Sequence, residues 1–524
     1  MKGKVSGVCI FLLGAGLFAG GLNDRIQKIS REEMQAVVEF LSHDLLEGRA
    51  PGTRGGDLAE LYMRSVFKLL GLEPGINGSY LQPFSLQGFT LASLEANLAG
   101  RPLDHDDDIV GTFARKQEEI SLTGELVFVG FGIRTPLWDW DDYKDVDLRG
   151  KIVVARVNDP GMFIPEIFEG ATLTYFGRWT YHVEEAARRG AAGILLIHTD
   201  ASAGYSWKVV QNSWGGESLY LDSDLDNDLA FRGWIREAKL REVLSSNGRD
   251  LDELYRLSLS REFHPVSLGL TFTIGGSNRF RTVMNRNVVA HIPGPSRKRI
   301  VISAHIDHFG IVGDEGEDCI FNGAIDNGTA VAAMVLVAKI LREYRADLRY
   351  SVTFLACNAE EAGLLGSKYY VQTTDRETIV ANLNFESTPV WEAAGSVMGV
   401  GARFSTLEDM LRKLATDRGL AYTTFSMSNQ GFFYRSDQFS FARYGIPAIW
   451  ISAGEDDASG ERKYHRFWAE YYHTVDDEYD PDWPLAALRQ TVGFALLLID
   501  HMNRTGQLPA WKAPLTFPLE SASR

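Results

Sequence analysis

Two imidazoles and four carboxylates, in the order His305, Asp326, Glu360, Glu361, Glu386 and His473, are the side chains of this sequence best suited to hydrolytic chemistry. His305 opens the triplet His305-Ile306-Asp307. If the backbone is still extended there, Asp307 shares a face with His305. A nearby carboxylate can orient the ring nitrogen that a bound metal leaves free. Asp326 lies in the turn-rich loop Asn322-Gly323-Ala324-Ile325-Asp326-Asn327-Gly328-Thr329, directly before a helix. Such a residue serves either as a helix cap or as a carboxylate between two cations. Glu360 and Glu361 follow an apolar run, and adjacent acids at a strand end point in different directions. One can bind metal while the other stays free to take a proton; the alternative is a solvated acidic turn. Glu386 closes Asn384-Phe385-Glu386, and His473 lies in the late loop Tyr472–Asp477. Mixed imidazole and carboxylate donors suit zinc. Two histidines, one shared acid and two terminal acids make two three-ligand positions, and metals so held sit roughly 3.5–4 Å apart and activate a water toward a carbonyl.

The elements that must position these groups follow from hydrophobic pattern. Strands are expected at Asn287–His291, Ile300–Ala304, Ser351–Ala356, Val380–Phe385 and Ala448–Ser452, and helices at Thr329–Arg345 and Pro484–Asn503. Apolar strands alternating with helices predict an α/β unit, a central sheet covered by helices on both faces, with functional groups just beyond the strand ends. Upstream, Ser30-Arg31-Glu32-Glu33 is a capping box opening a helix through Leu46, and a second helix is expected from Asp57 to Leu70. From about residue 95 to 285 short β-rich runs, such as Glu125–Val129, Lys151–Ala155 and Gly193–Ile197, predict a mostly β unit with a helix near Tyr181–Arg189.

Taken together, the order His-x-Asp, Asn-Gly-Ala-x-Asp-Asn, Glu-Glu, Asn-x-acid and His-Thr resembles the di-zinc exopeptidase family, which includes bacterial leucyl aminopeptidases, glutamate carboxypeptidase and glutaminyl cyclases. Glu47-Gly48-Arg49, Gly55-Gly56-Asp57 and Leu70-Gly71-Leu72-Glu73-Pro74 resemble its N-terminal region, and Ser436-Asp437-Gln438-Phe439 with Gly445-Ile446-Pro447-Ala448 its late loop and strand. Val129-Gly130-Phe131-Gly132-Ile133, Asp141-Asp142-Tyr143 and Leu148-Arg149-Gly150-Lys151 resemble the protease-associated domain inserted in many members. The resemblance implies a mixed central sheet with helices on both faces and a discontinuous catalytic domain, residues 22–95 and 286–510. A mostly β insert would fill 96–285, with a C-terminal surface extension at 511–524. It implies two zinc ions, other divalent metals being alternatives. His305, Asp326 and Glu386 would hold one, and Asp326, Glu361 and His473 the other. Glu360 would be the general base, Asp307 the partner that orients His305, and the Asp326–Asn327 peptide bond cis. Glu386 stands where the aminopeptidases usually carry Asp, and Gln438 where many relatives place His; the first is expected to alter metal geometry, the second the pocket. Tyr434 and Arg435 are candidates for substrate binding. His308 and His465 are expected near the site or at the surface.

The implied activity is removal of N-terminal residues from peptides. Alternatives on the same site are a carboxypeptidase or dipeptidase, whose terminal-carboxylate clamp could come from Arg178 or Arg435, and a glutaminyl cyclase, which also carries Glu at the third ligand position. A net charge of -16 argues against nucleic acid as partner. Lys2, Lys4, the apolar run Val5–Phe18 and small Ala19-Gly20-Gly21 read as a secretory signal over residues 1–21, too short for a bilayer span. Export to periplasm or medium follows, with no stable span after its removal. Cys319 and Cys357 could then pair, or remain two small buried thiols.

Overall fold

The computed structural model describes residues 21–225, 229–313, 318–344, 348–456 and 462–520. The expected signal, except for Gly21, lies outside the described residues. Helix α1 (Arg31–Leu41) begins at the expected capping box: Ser30 Oγ accepts from Glu33 N, and Ser30 N donates to Glu33 Oε2. It ends at Leu41 rather than Leu46, because the chain turns at Ser42 into a separate 3-10 turn, Asp44–Arg49, capped by the His43 ring. Glu47, Gly48 and Arg49 all have positive φ there. Helix α2 (Arg54–Leu69) then packs end-on against this turn. A Cβ on Gly55 would stand 1.7 Å from the Leu46 carbonyl oxygen, so only glycine allows the approach. Gly55→Ala should therefore cost roughly 1–3 kcal/mol, as overpacking does. Urea unfolding measures it, and an unchanged midpoint would disprove the close contact.

The middle of the chain is threaded on a long antiparallel ribbon. Its first strand is β1 (Leu81–Leu98). Strands β2 (Glu119–Phe128) and β3 (Ile152–Arg156), helix α3 (Trp179–Arg188), and strands β4 (Gly193–His198) and β5 (Phe231–Arg236) follow, with β2, β3, β4 and β5 parallel. Alternate residues of β3 and β4 enter two different cores: Ile152, Val154, Leu195 and Ile197 one, Val153, Ala155, Ile194 and Leu196 the other. Period-two alternation with apolar residues on both sides is what a sheet buried on both faces requires. The ribbon's return strand, β6 (Val266–Ile292), pairs with β2 at its start, β1 along its middle and the catalytic sheet at its end. The expected boundaries at 95/96 and 285/286 thus fall inside continuous strands.

Beyond β6 come β7 (Ser296–His305), helix α4 (Ala330–Glu343), β8 (Tyr350–Cys357), β9 (Ile379–Asn384), β10 (Ser396–Val400), β11 (Ala448–Ala453) and helix α5 (Ala486–Thr505). In space the order is β10-β11-β9-β7-β8-β6. The four central strands are parallel, while β10 and β6 flank them antiparallel. This is the mixed α/β sheet expected. Every residue of β8 is buried, and α4 lies in the core against β7, α1 and α5. The helical run Ala324–Glu343 is apolar enough to cross a membrane, but 94% of its most apolar window is buried, so it is a core helix.

Of the two readings of the cysteines, free thiols hold: Cys319 and Cys357 are both free, the latter fully buried at the end of β8. One expectation fails. The tail is not a surface extension: Phe517 is 3% exposed and packs against Phe404, Phe433, Tyr434 and Phe439.

Candidate active site

Parallel strands bring their carboxyl ends to one edge of a sheet. His305 is the last residue of β7. Glu360 and Glu361 follow β8, and Glu386 follows β9. Asp326 lies in a π-type turn, Ala324–Thr329, ahead of α4, and its peptide bond to Asn327 is cis. His473 comes from the loop after the helical segment Lys463–Tyr471 and has φ 58°.

These six side chains meet around the Asp326 carboxylate. His305 Nε2 lies 3.2 Å from Asp326 Oδ1, and His473 Nε2 lies 3.3 Å from Asp326 Oδ2. His305 Nε2 is also 3.4 Å from Glu386 Oε1 and 3.9 Å from Glu360 Oε2, while His473 Nε2 is 3.4 Å from Glu361 Oε2. Two donors on one tetrahedral zinc, with bonds of 2.0–2.1 Å, stand roughly 3.3–3.4 Å apart. In each triad that shares Asp326 the histidine stands at about that spacing from both carboxylates. Asp326 Oδ1 and His473 Nε2 are buried without a hydrogen-bond partner, so their lone pairs are left for something else. The donor set thus fits a pair of metal ions.

The charges agree. Burial resists protonation of His305, but Glu386 and Glu360 outweigh it and hold the imidazole well above its ordinary range. His473 is raised to about 9, burial being outweighed by Glu361 and Asp326. Burial would raise Asp326, yet the two imidazoles pull it well below the usual carboxylate range. Glu361 falls to about 2, chiefly because His473 overcomes burial. Glu360 moves the opposite way: burial, with Glu361 and Glu386 beside it, pushes it well above the carboxylate range. With all four carboxylates ionised the site would hold more negative charge than two imidazoles can offset, a charge that bound cations would neutralise.

The supporting contacts refine the expectations. His305 Nδ1 lies 3.1 Å from the backbone oxygen of Asp307, so the orienting acceptor is that carbonyl and not the carboxylate, which is 3.9 Å away. The Asp307 carboxylate instead accepts from Glu360 N and Glu361 N at 3.1 and 3.2 Å, fixing the Glu-Glu turn. The long arm of Glu386 is pinned, Oε2 accepting from Ser436 Oγ at 2.5 Å and Oε1 from Ser387 Oγ at 3.2 Å. Gln438 accepts from Asn384 Nδ2 and donates to the Phe433 carbonyl, away from the donor set. His308 is buried, its Nδ1 2.7 Å from Glu361 Oε1, whereas His465 sits by Glu455 and Ser426 outside the cluster. Sequence reasoning passed over Asp477, which accepts from Ile325 N and Asp326 N at 2.9 and 2.8 Å and so holds the Asp326 turn. It also passed over Tyr472, stacked on the His473 ring at 3.6 Å.

A cavity of about 270 Å³ opens beside Glu360, Glu361 and His473. Tyr434 and Arg435 line it, as do Tyr175, Arg178 and Trp179 of the middle segment. Tyr434 is a packed wall, its hydroxyl 3.2 Å from Thr516 Oγ1 and its ring against Phe439. Arg435 reaches toward the Tyr472 hydroxyl at 3.5 Å and lies over the Phe432 ring.

Known proteins place this arrangement. Residues 287–495 match the model of Peptidase family M28. Leucine aminopeptidase 2 of Trichophyton equinum is 28% identical over 183 residues, covering 32% of this chain and 34% of that protein. Leucine aminopeptidase 1 of Aspergillus niger is 26% identical over 223 residues, 40% of this chain and 54% of that protein. The chain therefore matches about a third to a half of the length of these curated relatives. An aminopeptidase from Aneurinibacillus sp. strain AM-1 shares the fold, with a TM-score of 0.54 and 19% identity over 95% of this chain and 100% of that one. Residues 287–495 thus match peptidase family M28 in sequence, and the chain shares the fold of a solved aminopeptidase.

Proposed function

We propose that this chain is a metal-dependent exopeptidase, an aminopeptidase that removes N-terminal residues from peptides with two zinc ions as cofactor. The observation that carries the reading is the Asp326 carboxylate, whose two oxygens face different imidazoles at 3.2 and 3.3 Å. That placement would suit a carboxylate shared by two metal ions. His305, Asp326 and Glu386 would hold one ion, and Asp326, Glu361 and His473 the other. Bound there, the metals would supply Lewis acidity toward a peptide carbonyl and lower the pKa of water. The family match and the leucine aminopeptidases among its relatives favour a peptide substrate with a free amine.

The chain's own groups divide the remaining work. Glu360, whose carboxylate accepts no hydrogen bond among the described residues and stands 3.9 Å from His305 Nε2, takes a proton from the attacking water and delivers it to the leaving nitrogen. Asp307 holds the Glu360 backbone, and its carbonyl fixes the His305 tautomer. Residues 22–95 and 286–510 form the catalytic unit in this reading, and 96–285 a protease-associated insert that narrows the entrance through Tyr175, Arg178 and Trp179. The enzyme acts after export, in the periplasm or the medium.

Zinc per chain and a panel of leucyl anilides, N-blocked peptides and glutaminyl peptides test the proposal. Two zinc ions and release from the free N-terminus are expected. Release of C-terminal residues from blocked peptides would replace it with a carboxypeptidase, and cyclisation without hydrolysis with a cyclase. A second check lies in Asp477. Asp477→Asn turns an amide toward one of the two N–H groups it now accepts, loosening the Asp326 turn. Zinc affinity should fall about 10–100-fold, the usual effect of losing such a support. Competition with a chromogenic chelator measures it, and an unchanged affinity contradicts the role.

A further inference from the structure

Four cationic side chains line the cavity beside the metal donors: Arg178, Lys368, Arg435 and Arg443. Two are neutralised. Lys368 Nζ lies 2.7 Å from Asp224, and Arg443 pairs with Glu184 at 3.4 Å and with Glu520. Arg178 and Arg435 differ. Among the described residues no carboxylate oxygen lies within 4.0 Å of either guanidinium. Arg178 Nε is buried without any hydrogen-bond partner. Among the described residues Arg435 makes one polar side-chain contact, the long one to the Tyr472 hydroxyl. The two also feel each other, since burial and the charge of Arg435 together draw Arg178 down to about 10. It stays cationic at neutral pH. Arg178 is moreover the N-cap residue of α3, which has no side-chain cap, and Trp179 and Thr180 of its first turn line the same wall. A helix N-terminus adds positive potential there.

The cavity is thus lined by the metal donors Glu361 and His473, with Glu360 beside them, and by two guanidiniums that have no carboxylate partner among the described residues. Two neighbouring, part-buried cations without a counterion repel each other, and a ligand that brings the opposite charge relieves that cost. We infer that Arg178 and Arg435 form a subsite for a substrate carboxylate on the leaving-group side of the scissile bond. The inference rests on the exopeptidase reading above. The arginines take the carboxylate, which leaves the free amine toward the metal donors. Arg435 is tied through Tyr472 to the ring stacked on His473, so the subsite begins close to the reacting carbonyl. An extended dipeptide spans roughly 7 Å, at about 3.3–3.6 Å per residue, and has both charges. The carboxylate comes either from the C-terminus of a di- or tripeptide or from an acidic side chain after the cleaved bond.

The test uses the zinc-loaded full chain and four free-amine substrates. Leu-Gly is compared with Leu-Gly-amide, and Leu-Glu-amide with Leu-Gln-amide, by kcat/KM, with leucyl anilide as the reference reaction. The wild type should prefer the carboxylate member of at least one pair by about tenfold or more, as charge-assisted bidentate pairing provides. The first pair identifies a C-terminal carboxylate, the second an acidic side chain. The preference should shrink to about threefold or less in Arg178→Ala and Arg435→Gln, and Arg178→Lys should retain part of it. Should a variant fail to fold, the wild-type ratio and its decline with added salt still decide the question. Anilide turnover with no preference in either pair overturns the subsite alone. So does a preference that survives both substitutions. No turnover of any substrate overturns the exopeptidase reading and the subsite with it.

Discussion

Glu360→Gln should lower kcat by about 10²–10⁴, the contribution of a positioned general acid–base, while the zinc content stays at that of the wild type. Glu361→Gln should do the reverse, losing metal first and activity as a consequence. The two residues are neighbours, and the structure separates them. Glu361 has both carboxylate oxygens engaged, Oε1 by His308 at 2.7 Å and Oε2 by His473 at 3.4 Å. The Glu360 carboxylate accepts no hydrogen bond among the described residues, and its nearest cationic group is His305 Nε2 at 3.9 Å. Their backbones are clamped alike, by the two oxygens of Asp307, so the substitutions change side-chain chemistry with little change of frame. Glutamine matches glutamate in size but cannot receive and return a proton. Zinc analysis beside steady-state kinetics separates the outcomes. If Glu360→Gln retained wild-type kcat, the base would be another group. If it shed zinc as Glu361→Gln does, Glu360 would be a ligand.

That six groups would meet at one sheet edge was legible because β7, β8 and β9 are short, apolar and parallel, and each leads directly into its functional residue. His305, Glu360 and Glu386 thus needed only the strand pattern and the direction of the strands. Asp326 and His473 were legible by motif, not by pattern: each sits in a turn whose path depends on contacts with distant residues. The ribbon β1–β6 was invisible for a different reason. Its half-exposed alternation is interrupted by Gly275 and Gly276 and by an irregular register at Ser277/Asn278, so no window reads as one long strand. Supports such as Ser436 and Asp477 carry no local signal, since a serine or a second aspartate in a polar loop looks like solvent-exposed sequence until the fold brings Glu386 or the Asp326 turn beside it. The buried tail failed the same way. Phe517 finds its partners in Phe404, Phe433 and Phe439, all more than seventy residues upstream, on the order of half a domain away in sequence.

Arg49→Met should destabilise the protein by roughly 3–5 kcal/mol and weaken zinc binding as well, because it leaves buried acceptors without a donor. Arg49 is 1% exposed. Its guanidinium donates to Ile306 O at 2.9 Å, to Asn322 O at 2.5 Å, to Gly323 O at 3.1 Å and to Leu41 O. Ile306 follows His305, and Asn322 and Gly323 lead into the turn that carries Asp326. One side chain from the N-terminal turn therefore ties α1, the end of β7 and the loop of the shared carboxylate together from behind. Burial draws Arg49 down to about 10, with Asp307, Asp477 and Asp326 holding it up, so it remains charged at neutral pH and offsets part of the negative field of the site. Methionine fills much of the volume, which leaves lost hydrogen bonds and charge as the main effects. Lysine keeps the charge but has three donors on one atom and cannot span acceptors on three segments, so Arg49→Lys should fall between methionine and wild type. Urea unfolding of the metal-free and zinc-saturated proteins separates the two effects. The metal-free midpoint reports the packing and hydrogen bonds. The added stability on zinc saturation reports affinity, through its logarithmic dependence on zinc concentration over Kd. A metal-free midpoint unchanged by methionine would show that those carbonyls find other donors. An undiminished zinc increment would show that the Asp326 turn holds its shape without Arg49, resting on Asp477 alone.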